Sequence, residues 1–209
     1  MAPKKQTPPT GTFQDSGADA SLPGSRPPPP ANSWALMVIG DKELEPLIQQ
    51  GLLPPKGTKL WETQKGALYP GRTTFNIPVF DWYFVWGLSL PIWSFLQGIL
   101  HYYRLELPQL HPNSILQLAI FVHLCEAFLG IAPHFNLWRY LFICKRQAKN
   151  NQLTYLGSAI LQLWDGKKAE YFPLPLYSSL KSWNNRWFLM ENASGSVPEC
   201  PGFIPNSCP

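Results

Sequence analysis

Residues 113–146, NSILQLAIFVHLCEAFLGIAPHFNLWRYLFICKR, form a nearly continuous apolar run broken once, at Gly130 and Pro133. The run predicts two helices, a buried one from Ser114 to Leu129 and a second that starts at Pro133 and ends among Lys145 and Arg146. Glycine readily takes the left-handed conformation that closes a helix, and proline costs nothing in a first turn. A tight corner is therefore expected between the two. In the first helix Ala119, His123, Glu126 and Gly130 are spaced by four, three and four residues, which places them on one narrow stripe. In the second, Phe135, Trp138, Leu141 and Phe142 make the inward stripe, while Arg139, Lys145 and Arg146 face out.

A helix apolar nearly all round is either buried in protein or spans a bilayer. Residues 115–132 approach the roughly 20 that a span needs. Gln117, His123 and Glu126 lie in the middle of that stretch, and an ionisable group at mid-bilayer costs about 2.5 kcal/mol or more. Burial within the protein is the preferred reading, with no membrane partner. His123, Cys125, His134 and Cys144 lack the paired spacings of zinc ligands. They read instead as small buried thiols, a His123 bonded to Glu126, and a His134 in the first turn of the second helix. No metal and no cofactor is expected.

The 209 residues are 45% hydrophobic and 14% charged, with 23 prolines and nine tryptophans. Charge is well below the usual quarter, so one aromatic-rich core with irregular connections is expected. The net charge of +4 permits a nucleic-acid partner without arguing for one. Two cysteines lie in the apolar core and two, Cys200 and Cys208, in a Pro-rich tail, a placement that suits reduced thiols better than a disulfide framework. The opening MAPKKQTPPT has no apolar signal core. An intracellular protein, nuclear or cytoplasmic and not secreted, is expected, and the sequon at Asn192 reads as chance. The ending Cys208-Pro209 fits a piece of a longer polypeptide.

In chain order, residues 1–33 form a Pro-rich tail with PPPP at 27–30, expected to be disordered. Residues 34–192 form the globular domain and 193–209 a loose C-terminal tail. After the apolar cluster Trp34 to Ile39, DKELEPLIQQG at 41–51 predicts a short helix capped by Asp41 and closed by Gly51. Residues 52–78 show no period and are expected to be loop. VFDWYFVW at 79–86 is a strand or the approach to a helix, and Ser89-Leu90-Pro91 opens a helix with its stripe at Ile92, Phe95, Leu96, Ile99, Leu100 and Tyr103. Apolar runs on either side of Asp165-Gly166 predict a hairpin, and Arg186 to Met190 a last strand. The expected class is α+β and mainly helical, a compact helical core with a C-terminal hairpin or small sheet.

LPIWSFLQGILHYYRLELPQLHPNSILQLAIFVHLCEAFLGIAPHFNLWRYLFICK at 90–145, LEPLIQQGLLPP at 44–55 and SLKSWNNRWFLMEN at 179–192 resemble the putative gypsy-type transposase domain of plant, grass-type retrotransposon-derived proteins. The resemblance runs from Leu44 to Asn192 and implies a mobile-element origin. The catalytic parts of such an element are missing from this chain. Metal-dependent strand transfer needs carboxylates that hold two divalent ions, whereas Asp81, Glu106, Glu126 and Asp165 are scattered. No D-T-G protease loop, zinc knuckle, P-loop or dinucleotide fingerprint occurs, and the D-S-G at 15–17 falls in the Pro-rich tail outside the globular domain; no Ser or Cys nucleophile is paired with a base.

Two readings remain, neither of them an enzyme. The first is a structural or interaction module, analogous to the capsid-like portion of a retroelement protein, that contacts other copies or other proteins. The second is a nucleic-acid-binding module using Arg139, Lys145, Arg146, Lys149, Lys167, Lys168, Lys181 and Arg186, with Trp183 or Trp187 stacking on bases. No small-molecule substrate is evident in either.

Overall fold

Gly40 sits in extended backbone at the start of the first helix, and its N–H donates to the Glu43 carboxylate at 2.7 Å. From there the chain runs, in order, through α1 (Asp41–Gln49), β1 (Trp61–Glu62), β2 (Asn76–Phe80), α2 (Asp81–Val85), α3 (Ser94–Tyr103), α4 (Pro112–His123), α5 (Phe135–Leu141), β3 (Phe142–Arg146), β4 (Ala148–Lys149), β5 (Gln152–Leu153), β6 (Ala159–Leu163) and β7 (Trp187–Glu191). The structure is a computed structural model and describes residues 34–58, 60–70, 76–146, 148–149, 152–153, 155–171 and 180–192. The tails expected at 1–33 and 193–209 lie outside the described residues. The class is α+β, as expected.

Asp41 does not cap α1; its carboxylate accepts from the Thr63 hydroxyl at 2.7 Å and pairs with Lys56. Gly51 closes the turn beyond the helix at φ +71. The loop expected at 52–78 contains two strand segments instead. β7 runs between β1 and β2, antiparallel to both, with Trp61 opposite Met190 and Val79 opposite Phe188. β1 is too short to show a period. β2 carries Pro78, which an edge strand tolerates because its missing N–H faces outward. The segment VFDWYFVW is both things that it could be, since the strand ends at Phe80 and α2 begins at Asp81.

α3 starts at Ser94, three residues beyond Pro91, and buries Leu96, Ile99 and Leu100. α4 starts at Pro112 under His111, whose Nδ1 accepts from the Asn113 N–H at 3.2 Å. It then widens into a π turn over Leu124–Phe128, and Gly130 closes the corner at φ +63. Burial ends at Cys125, so the predicted helix to Leu129 is buried over only its first three turns. Pro133 stands outside α5 and His134 is its N-cap.

The second predicted helix stops at Leu141. Phe142–Arg146 is a strand, paired antiparallel with β6 so that Phe142 faces Leu163 and Arg146 faces Ala159. Aromatic and β-branched residues such as Phe142 and Ile143 suit a half-buried ribbon. This pairing also overturns the hairpin expected at Asp165-Gly166. The turn exists, with Gly166 at φ +91, but it leads into a 3-10 turn over Lys167–Ala169, and the partner of β6 is β3. The hairpin lies earlier, with β4 and β5 paired beyond β3 and β6.

One apolar core joins these layers. Around β7, Trp34 meets Trp187 edge-on at 5.5 Å and Phe80 meets Trp183 at 4.7 Å. Under the ribbon, Trp138 stacks on Phe142 at 4.0 Å and meets Phe121 edge-on at 5.2 Å. Ser114 ties α4 to the ribbon by accepting from the Leu161 N–H at 3.0 Å.

Candidate functional site

Side chains alternate across a strand, and directly paired residues share a face. On the ribbon, Phe142, Leu161 and Ala159 point into the core. The opposite face therefore carries Ile143 and Lys145 from β3, with Ile160 and Gln162 across from them on β6. Trp164 follows Gln162 by two residues, and its indole N–H donates to the Arg139 carbonyl at 3.0 Å. That bond closes the face against α5.

At this junction lies a cleft of about 290 Å³ lined by Tyr103, Asn136, Arg139, Tyr140, Ile143 and Trp164. Tyr140 is 53% exposed and Trp164 38%. The Arg139 guanidinium lies 5.4 Å from the centre of the Tyr102 ring. Lys167 stands 3.5 Å over the Tyr140 ring and pairs with Glu170, whose carboxylate also accepts from the Tyr140 hydroxyl at 2.8 Å. These bonds raise the Lys167 pKa and lower that of Glu170, so both groups stay charged near neutral pH.

The residues expected to bind nucleic acid separate into two groups. Arg139 lines the cleft, Lys167 stands over Tyr140, and Lys145 is exposed on the same ribbon face, whereas Arg146, also exposed, alternates to the other face and Lys168 is exposed in the turn after Gly166. Lys149 lies in β4 opposite Gln152. The other group belongs to β7 and the turn before it. Lys181 is exposed there, but Arg186 donates from Nε to Asp81 at 2.7 Å. Trp183 and Trp187 do not offer stacking faces. Trp187 is fully buried with its indole N–H donating to the Ala35 carbonyl at 3.0 Å, and Trp183 packs between Phe80 and His111. The rings that do stand at the surface beside cations are Tyr140 and Trp164. The Trp164-Asp165-Gly166 turn was legible in sequence, but its neighbour across the ribbon was not.

A second feature is apolar. Every residue from Glu126 to Ala132 is exposed, and Phe128 is 74% exposed with Leu129 and Ile131 beside it. The π turn holds this hook out from the body: the Leu129 N–H reaches back to the Leu124 carbonyl at 3.1 Å and the Ile131 N–H to that of Cys125 at 2.9 Å. Burial of Cys125 pushes its thiol pKa up, which leaves it an anchor rather than a nucleophile. Segment 36–38 lies along 66–67, through Met37 N–H to Ala67 carbonyl at 2.9 Å. Met37 points in, while Leu36, Val38, Leu68 and Tyr69 are exposed.

Among the described residues no three His, Cys, Asp or Glu side chains are grouped so as to hold a metal ion. No described helix is long and apolar enough to cross a membrane. Acidic side chains Asp41, Glu62 and Glu191 share a shallow hollow with Lys56 and Asn76.

No curated protein and no solved structure matches this chain. A family model described as "Putative gypsy type transposon" matches residues 79–146. That span takes in the end of β2, α2, α3, α4 with its π turn, α5 and β3. The part of the chain that builds the hook and one strand of the ribbon face is thus similar to a gypsy-type transposon domain.

Proposed function

We propose that this chain is a non-catalytic, retrotransposon-derived module of plant type that works inside the cell by self-association, in the manner of a capsid portion. The observation that carries this reading is the apolar hook, with Phe128 74% exposed at the end of a π turn. Exposed apolar surface of this kind, gathered at one place rather than scattered, marks contact surfaces. The hook has no charge between Glu126 and His134 to oppose burial. The exposed apolar side chains Leu36, Val38, Leu68 and Tyr69 offer a second place for contact, and two distinct contacts allow assemblies larger than a closed dimer.

Light scattering on the full chain over a concentration series tests this. The expected result is a defined oligomer that persists in high salt, because apolar burial is not screened. Phe128→Asp should dissociate it with little change in melting temperature, since an exposed side chain contributes little to the fold. A chain that stays monomeric at every concentration, or an oligomer indifferent to Phe128→Asp, would overturn the reading.

A further inference from the structure

We propose that the cleft between α5 and the ribbon is a binding site for single-stranded nucleic acid, taking one base between its rings while the cations around it meet the phosphates. Three features of the site converge on that ligand. The first is shape and lining. A cleft of about 290 Å³ lined by Tyr103, Tyr140 and Trp164 has the volume for one base. Aromatic rings hold unpaired bases by stacking, which is worth about 1–3 kcal/mol per base. Asn136 lies in the same lining, and an amide offers both a donor and an acceptor to a base edge.

The second is charge. Arg139 lines the cleft, Lys167 stands over the Tyr140 ring in its wall, and Lys145 is exposed on the ribbon face that carries Ile143, with Asp165 and Glu170 as the carboxylates on the neighbouring turn. Lys167 and Glu170 neutralise each other, so the net positive charge offered to phosphates comes from Arg139 and Lys145. Lys145 stands on the same ribbon face as Ile143, which lines the cleft, so a backbone leaving the cleft along the ribbon meets it next. The third is preorganisation. The Trp164 indole N–H is fixed to the Arg139 carbonyl, and Lys167 and Glu170 hold the Tyr140 ring. Side chains held in advance lose little entropy on binding.

Single strands fit better than duplex, because rings inside a concave cleft reach only bases that can be splayed out. The site is separate from the apolar hook, so the inference stands whether or not the chain self-associates.

The test is fluorescence anisotropy of the full chain with labelled oligodeoxythymidine of about 12 nucleotides, within the length range of known single-strand sites. The same length of duplex serves as the competing ligand. Expected is binding to the single strand that weakens steeply with salt and exceeds duplex binding at least tenfold. Trp164→Leu should weaken it by about 5- to 150-fold, the equivalent of one lost stack. Lys145→Glu, at an exposed position that cannot unfold the core, should also weaken it and flatten the salt dependence. Lys181→Glu, near β7 and away from the cleft, should leave affinity within about twofold, as bulk charge would not. Phe128→Asp should do the same, separating this site from the assembly surface. No binding at low salt, equal or tighter binding to duplex, or equal losses from Lys145→Glu and Lys181→Glu would each overturn the proposal.

Discussion

Arg186 reaches from the start of β7 to Asp81 at the start of α2, donating from Nε to the carboxylate at 2.7 Å across 105 residues of sequence. The Asp81 side chain is almost wholly buried and that of Arg186 is about a third exposed. The pair pins α2 to the sheet through side chains, and the Asp81 N–H does so again by donating to the Arg186 carbonyl at 3.2 Å.

Burial raises the Asp81 pKa above the usual carboxylate value, and Arg186 pulls it back only in part. A carboxyl whose pKa is raised by folding stabilises the fold most when protonated, and that contribution falls as pH rises through the folded-state value. Arg186→Met removes the opposing pull and leaves a buried charge, so it should cost about 3 kcal/mol at pH 7. The loss should shrink toward pH 4 as Asp81 takes up its proton. Urea unfolding of wild type and variant at both pH values measures this, and an equal loss at the two would contradict it.

Trp138 is the centre of the second aromatic group, stacked on Phe142 at 12° and edge-on to Phe95 at 6.1 Å. Trp138→Ala should cost about 3–5 kcal/mol through the cavity it leaves, enough to unfold a marginal domain. Its indole N–H has no hydrogen-bond partner among the described residues. Trp138→Phe therefore loses area but removes an unsatisfied donor, and should cost under about half as much as the alanine change. Thermal melting of the two variants decides; similar losses would mean that the ring system beyond a phenyl carries the packing.

The contact between Trp138 and Phe142 also shows why the fold was only partly legible. A spacing of four residues is the signature of a helical stripe, and the two rings do meet, but through a helix that turns into a strand at Phe142. Local spacing reports proximity and cannot distinguish these two routes to it. What decides is the partner, Ala159–Leu163, which lies beyond a hairpin that no short-range signal ties to Phe142. The α4–α5 corner at Gly130, the helix of DKELEPLIQ and the last strand were legible because their determinants are local. The same division holds for the candidate site. The basic residues after Phe142 could be picked out, whereas Trp164 joins them only through pairing across the ribbon, and Trp183 and Trp187 drop out only once burial is known.

Gly87 and Ala119 record how closely α2 approaches α4. A Cβ on Gly87 would stand 2.9 Å from the Ala119 Cβ, and the glycine has φ +100. Gly87→Ala should cost about 3 kcal/mol, combining left-handed strain and overpacking. Ala119→Gly alone should cost about 1 kcal/mol as a glycine inside a helix. Together they should cost less than their sum by roughly 1 kcal/mol, because the second change makes room for the first while the strain remains. Strict additivity in chemical denaturation would show that no clash existed.

His111 links the α4 cap, the ribbon and the sheet core. Its backbone N–H donates to the Ala159 carbonyl at 3.0 Å and its ring packs on Trp183 at 5.5 Å. Burial lowers its pKa from 6.5 to about 4. The unfolded chain takes up this proton near pH 6.5 and the folded chain only near pH 4, so the stabilisation is complete above 6.5 and is lost as pH falls through that window. The loss amounts to at most about 3 kcal/mol. Asp81 acts in the opposite sense, so the wild-type profile alone would blur the two. His111→Asn keeps a cap acceptor for the Asn113 N–H and should flatten the profile between pH 6.5 and 4, while a proton NMR titration of wild type should place His111 near 4. A midpoint near 6.5, with the variant as acid-sensitive as the wild type, would mean that water reaches the ring and that the cap of α4 is looser than its packing on Trp183 indicates.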